Sequence, residues 1–412
     1  MYRSQKKYAQ RSRSQACRAV VLWIDWYPYH VARFKGLQRA FGGTSAVRGI
    51  EFVGGIGVHA GLKFREEIPE DLPVDTLLPR SSWRESSKIA LALAAWRRLS
   101  ELNPELVLVP GYYTLPAVAA AMWARVHRRI SVLMTESGSG DHVRVPWKEK
   151  AKSLAIRSLF DWAVAGGTAH VRYLESLGVK SDRILNFYDV VDNDELCRRT
   201  AGLRRTSNAE AYKLPAKYFL YVGRLAPEKN VAGLIRAWQV YREQGGNWPL
   251  VLVGDGAEGP ALRELAAQSP FAKDVIFVGH KKSQEALPYF SFAACFVLPS
   301  VREPWGLVVN EAMAASLPLI VSKKCGCAED LVREGQNGFL YDPEFDTELT
   351  VALTKMEALS SDEWNDMRRA SSELIQRFSP DNFGNEIARL STLVQERSDT
   401  QLTNSASSER MA

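Results

Sequence analysis

Cysteine is scarce in this sequence: five in 412 residues (Cys17, Cys197, Cys295, Cys325 and Cys327), an odd number, scattered, with no C-x-x-C pair and no histidine at zinc-ligand spacing. Neither a disulfide framework nor a zinc site is indicated, and a reducing, cytoplasmic setting fits. The one close pair, Cys325-Gly-Cys327, reads as small loop residues rather than a redox couple. Long apolar runs are also missing. The longest candidate, Leu106 to Ala124, is interrupted by Pro110, Gly111 and Pro116, short of the ~18 uninterrupted apolar residues of a membrane span. The basic N-terminus, Arg3 to Arg18, leads only into Ala19–Ile24, too brief for a signal-peptide core. What is present, 46% apolar and 24% charged residues, excludes a disordered or collagenous chain and supplies enough material for two cores.

The net charge of +6 is unevenly placed. Residues 1–200 hold 30 Lys and Arg against 20 Asp and Glu, a net +10, whereas the remainder is net −4. The first half is therefore expected to face something anionic: a phosphorylated substrate, nucleic acid or an acidic membrane surface.

Short β-branched runs alternate with helix-period segments, the pattern of doubly wound α/β domains. In the first half the strands expected are Ala19–Ile24, Glu105–Val109, Ile130–Met134 and Trp162–Ala165, with helices over Ser87–Leu99, Leu115–Val126 and Trp147–Phe160. The second half repeats the pattern with strands at Tyr218–Val222, Leu250–Val253, Val275–Val278, Cys295–Leu298, Leu319–Val321 and Gly338–Tyr341. Helices are expected between them near Val231–Tyr241, Pro260–Gln268, Leu307–Ala315 and Ala328–Glu334. The boundaries expected are a basic tail over 1–17, a first domain over 18–195, a polar linker over 196–215 and a second domain over 216–378. A helix over 379–398 packing back on the first domain and a disordered tail over 399–412 follow. Facing domains of this kind bind ligands between the carboxyl ends of their strands.

The clearest chemistry starts at a strand exit, Gly223-Arg224-Leu225-Ala226-Pro227-Glu228-Lys229-Asn230, ahead of an amphipathic helix. Gly223 permits a sharp turn, and two cations beside a helix start suit a diphosphate; taken alone, the same loop reads more readily as solvated surface charge. About eighty residues on, Glu303-Pro304-Trp305-Gly306-Leu307 opens a second helix, with Glu311 eight positions after Glu303. A bare E-x7-E occurs on the order of twice by chance in a chain this long. Its setting gives it meaning: Gly306 brings backbone N–H groups near a phosphate, while two carboxylates can accept from vicinal hydroxyls.

At these residues the sequence resembles the retaining nucleotide-sugar glycosyltransferases of family 4, with the two-domain GT-B fold. The match runs from Gly223-Arg224 through Val253-Gly254-Asp255-Gly256 and Glu303–Ala315 to Asn337-Gly338-Phe339. The resemblance implies an α/β GT-B protein of two Rossmann-like domains across a cleft. It implies that Arg224 and Lys229 hold the donor diphosphate, Glu311 the ribose and Glu303 the transferred sugar. Gly306 and Leu307 would offer backbone donors to the phosphates, and the Gly254–Gly256 and Gly279–His280 turns would lie near the nucleoside. Transfer in such enzymes is front-face, the leaving phosphate oxygen taking the acceptor proton, so Arg224 and Lys229 would stabilise the charge growing on the leaving group.

The first half departs from the family pattern. Where a Gly-rich loop is common, this chain reads Asp25-Trp26-Tyr27-Pro28-Tyr29-His30-Val31-Ala32-Arg33. That entry, with Gly166-Gly167-Thr168-Ala169-His170 and Tyr188-Asp189-Val190-Val191-Asp192-Asn193, is similar to a bacterial polysaccharide subgroup. Tyr29, His30, Glu136 and Asp141 are the acceptor-side candidates, His30 being as readily a packed histidine, and His170 a structural one.

Two decoys are set aside. Gly254-Asp255-Gly256-Ala257-Glu258-Gly259 spells a dinucleotide fingerprint, yet its acid, Asp274, precedes the next strand instead of ending it. Asp192-Asn193-Asp194 has the form of a metal triplet but lies where Asp and Asn make turns. The expectation is a metal-independent enzyme without a cofactor, the nucleotide-sugar being a substrate and the acceptor a glycan or lipid-linked glycan of cell-surface polysaccharide synthesis. An epimerase of the same fold or a non-catalytic sugar-nucleotide-binding subunit are the alternatives. The basic amphipathic stretch Trp147–Phe160 and the cluster Arg125–Arg129 would touch an anionic membrane or be ordinary solvated faces; no groove-reading motif supports nucleic acid. With the donor placed in the net-acidic half, the surplus positive charge points to an acidic or phospholipid-linked acceptor.

Overall fold

Two all-parallel sheets carry the chain in the computed structural model, which describes residues 17–55, 69–140 and 144–392. The expected tail before Cys17, the expected tail from 399 onward and the candidate Asp141 lie outside the described residues. In the first sheet, β1 (Ala19–Trp23), β2 (Val47–Val53), β3 (Val74–Leu78), β4 (Leu106–Pro110), β5 (Ile130–Thr135), β6 (Trp162–Ala165) and β7 (Ile184–Leu185) lie in the order β3-β2-β1-β4-β5-β6-β7. The second contains β8 (Phe219–Val222), β9 (Leu250–Val253), β10 (Val275–Gly279), β11 (Cys295–Leu298), β12 (Leu319–Ser322) and β13 (Gly338–Tyr341), ordered β10-β9-β8-β11-β12-β13. Each order reverses once, between β1 and β4 and between β8 and β11, and the crevice outside the strand ends at such a reversal is where open α/β sheets take ligands.

The second domain follows the sequence pattern closely because its strands read as continuous apolar runs, the four inner ones almost wholly buried. The first domain has three strands that the pattern did not give. In β2 the run is broken by Arg48, Gly49 and Glu51, yet the carboxylate of Glu51 is buried and accepts from the Thr76 hydroxyl on β3 at 2.8 Å. β3 and β7 are short strands at the two sheet edges. The segment Asp25–Arg33, expected as a loop, turns at Tyr27 into the helix Pro28–Ala40.

The expected linker is largely helical. Asp192 caps the helix Asn193–Thr206, its carboxylate accepting from the Glu195 N–H at 3.1 Å, and Arg204 at the far end donates to the carbonyls of Ser291 and Ala315 in the second domain. Residues 380–392 form a helix that lies back on the first domain, with Asp381 paired to Arg39 at 2.5 Å and Phe383 edge-on to Tyr188. One apolar core is continuous from the face of the first sheet that packs the helix Pro28–Ala40 into the second domain, and a separate core fills the opposite face beneath the helices Lys88–Leu102, Leu115–Val126 and Pro146–Leu159.

Candidate active site

The residues singled out in the second half come from loops that leave β8 and β11, neighbours at the sheet reversal. After β8, the Tyr221 hydroxyl donates to the Arg224 carbonyl at 2.7 Å and fixes the turn, while the exposed Arg224 guanidinium meets Glu228 at 2.9 Å. A 3-10 turn, Pro227–Lys229, then brings Lys229 inward, and its ammonium is hydrogen-bonded to the Glu303 carboxylate from the β11 loop. Ser300 donates to the same carboxylate oxygen at 3.3 Å, and the Val301 N–H donates to the Glu228 carbonyl at 3.0 Å. Residues 74 positions apart in the sequence are thus stitched into one surface. Gly254 packs against this loop from β9. Its φ is +141°, its N–H donates to the Gly279 carbonyl at 2.9 Å, and a β-carbon there would strike the Gly223 carbonyl. Gly256 likewise abuts the Leu225 carbonyl.

Gly306, at φ +102°, starts the helix Leu307–Ala314, and its outward turn leaves the first N–H groups of that helix beside Glu303. Glu311 on this helix lines a cavity of about 820 Å³ between the domains, together with Tyr29, Gln284 and Leu307. Burial pushes its carboxyl up to about 7. Gly279 ends β10 at φ +81°, but His280 is exposed and is not among the residues lining this cavity; Lys282, Ser283, Gln284 and Glu285, one turn later, are. Sequence reasoning missed those four, which carry no motif beyond a capping arrangement of Lys282 and Glu285.

Across the cleft the first domain presents aromatic and acidic groups. Tyr29 lines the cavity. His30 does not belong to that surface. It is buried, stacked on Trp23 at 4.4 Å, and its Nδ1 accepts from the Tyr27 N–H at 3.3 Å. Burial and then the Arg33 charge hold its pKa well below the usual histidine range. Glu136 is half-buried next to a cluster that the sequence did not announce: Arg33 and Asp189, both fully buried and paired at 3.0 Å, with the guanidinium over the Tyr188 ring at 4.2 Å. Burial first, and the Glu136 charge second, push the Asp189 carboxyl well above the usual range.

Polar contacts join the two halves at the site. Asn310, one residue before Glu311, donates to the Asp189 carbonyl at 3.0 Å and accepts from the Trp305 indole N–H at 2.9 Å. The Gly167 N–H donates to His170 Nδ1 at 3.2 Å, so Nε2 bears the proton and donates to the Pro304 carbonyl at 2.9 Å. His170 therefore has a structural duty beside Glu303. Thr168 donates twice to Asp330, at 2.9 and 2.6 Å. Of the two acidic decoys, Asp192 is spent on a helix cap and Asp274 is paired with Arg242 at 2.6 Å, at the start of β10 and away from the loops.

Residues 205–373 match the family model described as Glycosyl transferases group 1. This match spans the second sheet and less than half of the chain. An uncharacterized glycosyltransferase of Methanocaldococcus jannaschii is 29% identical over 182 residues, 44% of this chain and 46% of that protein. The O-antigen chain mannosyltransferase B of Escherichia coli is 30% identical over 156 residues, 37% of this chain and 39% of the relative. The alignments thus span less than half the length of these curated relatives. Among solved structures, Anabaena HepE in complex with UDP superposes with a TM-score of 0.70 at 18% identity, over 91% of this chain and 99% of that one, which establishes the shared fold.

Proposed function

We propose that this protein transfers a sugar from a nucleotide-sugar donor to a glycan or lipid-linked glycan acceptor with retention of anomeric configuration, in the synthesis of a cell-surface polysaccharide on the cytoplasmic side. One observation carries the reading: Arg224, Lys229 and Glu303 are gathered at the β8/β11 reversal, against the glycine-opened helix that brings Glu311 into the interdomain cavity. The complexes of HepE with UDP and UDP-glucose support a nucleotide-sugar as the ligand of such a cleft.

In this reading the diphosphate draws Lys229 away from Glu303 and lies against Arg224 and the N–H groups after Gly306. The carboxylate so released accepts from hydroxyls of the donor sugar, and Glu311 accepts from the ribose. The bond from the anomeric carbon to the phosphate oxygen breaks, and the bond to the acceptor oxygen forms on the same face. The acceptor proton passes to the departing phosphate oxygen, leaving a glycoside and a nucleoside diphosphate. Arg224 and Lys229 supply the positive charge that strengthens as the diphosphate leaves, so neither a divalent cation nor a cofactor is required. Tyr29 and Glu136 face the acceptor.

The test is a thermal-shift series with UDP-, GDP- and ADP-sugars, in which the true donor raises the melting temperature because it binds the native state. Labelled sugar from that donor then appears on a glycan acceptor, with EDTA present or absent. Isomerised nucleotide-sugar in place of labelled acceptor would establish an epimerase, and a donor shift with no turnover on any acceptor a binding subunit.

A further inference from the structure

We infer that the outer face of three neighbouring helices, Lys88–Leu102, Leu115–Val126 and Pro146–Leu159, is a docking surface for a bilayer that contains anionic lipid. Among the described residues thirteen large apolar side chains are exposed, and eight of them belong to these helices or to the turn that leads into the middle one. Leu93 is 68% exposed, Trp147 68% and Leu154 70%. The middle helix is the most telling. Its inward face, Ala117, Ala120, Ala121, Trp123 and Ala124, is already buried, yet its outward stripe also lacks polar side chains: Leu115, Met122 and Val126 are exposed, with half-buried Val118 and Ala119 between them. A helix needs only one apolar stripe to pack on its sheet, and a second one turned to solvent marks a contact surface.

Charge selects the partner. Residues 115–130 and 146–159 contain seven Lys and Arg against one Glu, and that Glu149 is held by Lys152 at 2.8 Å. Exposed Lys148 and Lys150 flank Trp147, and exposed Arg125 and Arg128 flank Val126. Apolar side chains ringed by ammonium and guanidinium groups match the acyl boundary and the anionic headgroups of a bilayer. A second copy of the chain fits poorly, because a two-fold contact would set one basic face against another. Nucleic acid fits poorly too, since the exposed side chains are mainly aliphatic and offer no stacking platform.

The position of the face fits the chemistry at the cleft. These helices follow β3, β4 and β5, so each begins at the carboxyl edge of the sheet, and Leu115 and Trp147 stand at the cleft side of the apolar strip. If the transfer proposed above is right, an acceptor anchored in the bilayer meets the cleft without leaving the membrane. The docking itself stands on the exposed side chains alone.

Co-sedimentation of the full chain with vesicles of phosphatidylcholine, alone or with phosphatidylglycerol at about 30%, tests it. Binding should be at least about tenfold stronger on the anionic vesicles and should fall as salt rises from about 0.05 to about 0.5 M. Leu93→Ser, Met122→Ser and Leu154→Ser combined should lower binding to the anionic vesicles about tenfold. Lys148→Gln, Lys150→Gln and Arg157→Gln combined should abolish the preference for phosphatidylglycerol. All six positions are exposed, so both variants should keep the native melting temperature and the thermal shift with donor, which separates failure of docking from failure of the donor site. Equal binding to the two vesicles at low salt would overturn the inference. So would an apolar variant that binds as the native chain does, or a native chain that ignores vesicles and self-associates through this face.

Discussion

The two domains share one architecture and face the same cleft, yet they furnish it by opposite means. The second domain shapes its side with backbone: Gly254 and Gly306 adopt conformations with positive φ, and the Gly254–Gly256 turn packs directly on the loop that carries Arg224. Its charged groups lie near solvent, as Arg224 does, or keep some exposure, as the Lys229–Glu303 pair does. The first domain has no such loop after β1. It fixes its cleft surface from behind, with Arg33 and Asp189 paired out of solvent and aromatic side chains layered over them. Exchangeable ion pairs suit a diphosphate that arrives and departs; a buried pair fixes shape and cannot be traded for a ligand without leaving a bare charge in the core.

Three experiments would break or sharpen that contrast. The largest effect is expected in the first domain, where Asp189→Ala strands the Arg33 guanidinium in the core and should cost about 3 to 5 kcal/mol in urea denaturation; a loss below about 1 kcal/mol would mean that the pair is not needed for the fold. In the second domain turnover should drop about a hundred- to a thousandfold in both Arg224→Ala and Lys229→Ala; loss of the exposed Arg224 should leave the melting temperature nearly unchanged, whereas loss of the largely buried Lys229 should lower it by less than Asp189→Ala does, since Ser300 still donates to Glu303. Near-native turnover in both would sink the diphosphate assignment. The smallest effect should come from Glu311. Its carboxyl holds a proton up to about 7 in the folded protein against a usual 4.5, so the free protein should lose stability as pH rises through that interval. Glu311→Gln should remove this dependence and gain up to about 3 kcal/mol above pH 7. On the proposed reading, in which Glu311 accepts from the ribose, donor affinity in the native chain should rise about tenfold between about pH 6 and pH 8 as its carboxyl ionises, and be flat in the variant.

The same contrast explains what could be read in advance. Strands β8 to β13 are nearly uninterrupted apolar runs, and the glycines and charged residues between them declare their loops. In the first domain, buried polar residues hid the pattern. Arg48, Gly49 and Glu51 interrupt β2, and buried Arg33 and His30 mask the inner face of the helix Pro28–Ala40. The helix Asn193–Thr206 is so polar that it reads as a linker, because much of its anchoring is Arg204 bonding to carbonyls of the other domain.

Composition and spacing by themselves indicated the α/β class and the two domains, because strand period and loop glycines are local properties of the chain, and they marked Arg224, Lys229, Glu303 and Glu311 as candidates. Only the tertiary structure decided that Lys229 meets Glu303, since that depends on β8 and β11 lying side by side at the sheet reversal. Among the described residues it also placed positive charge of the first half: Arg33 is neutralised by Asp189 in the core, while exposed Lys and Arg of the outer helices lie beside exposed apolar side chains, because a helix that is apolar on both sides declares neither side as its inner one until a sheet covers it.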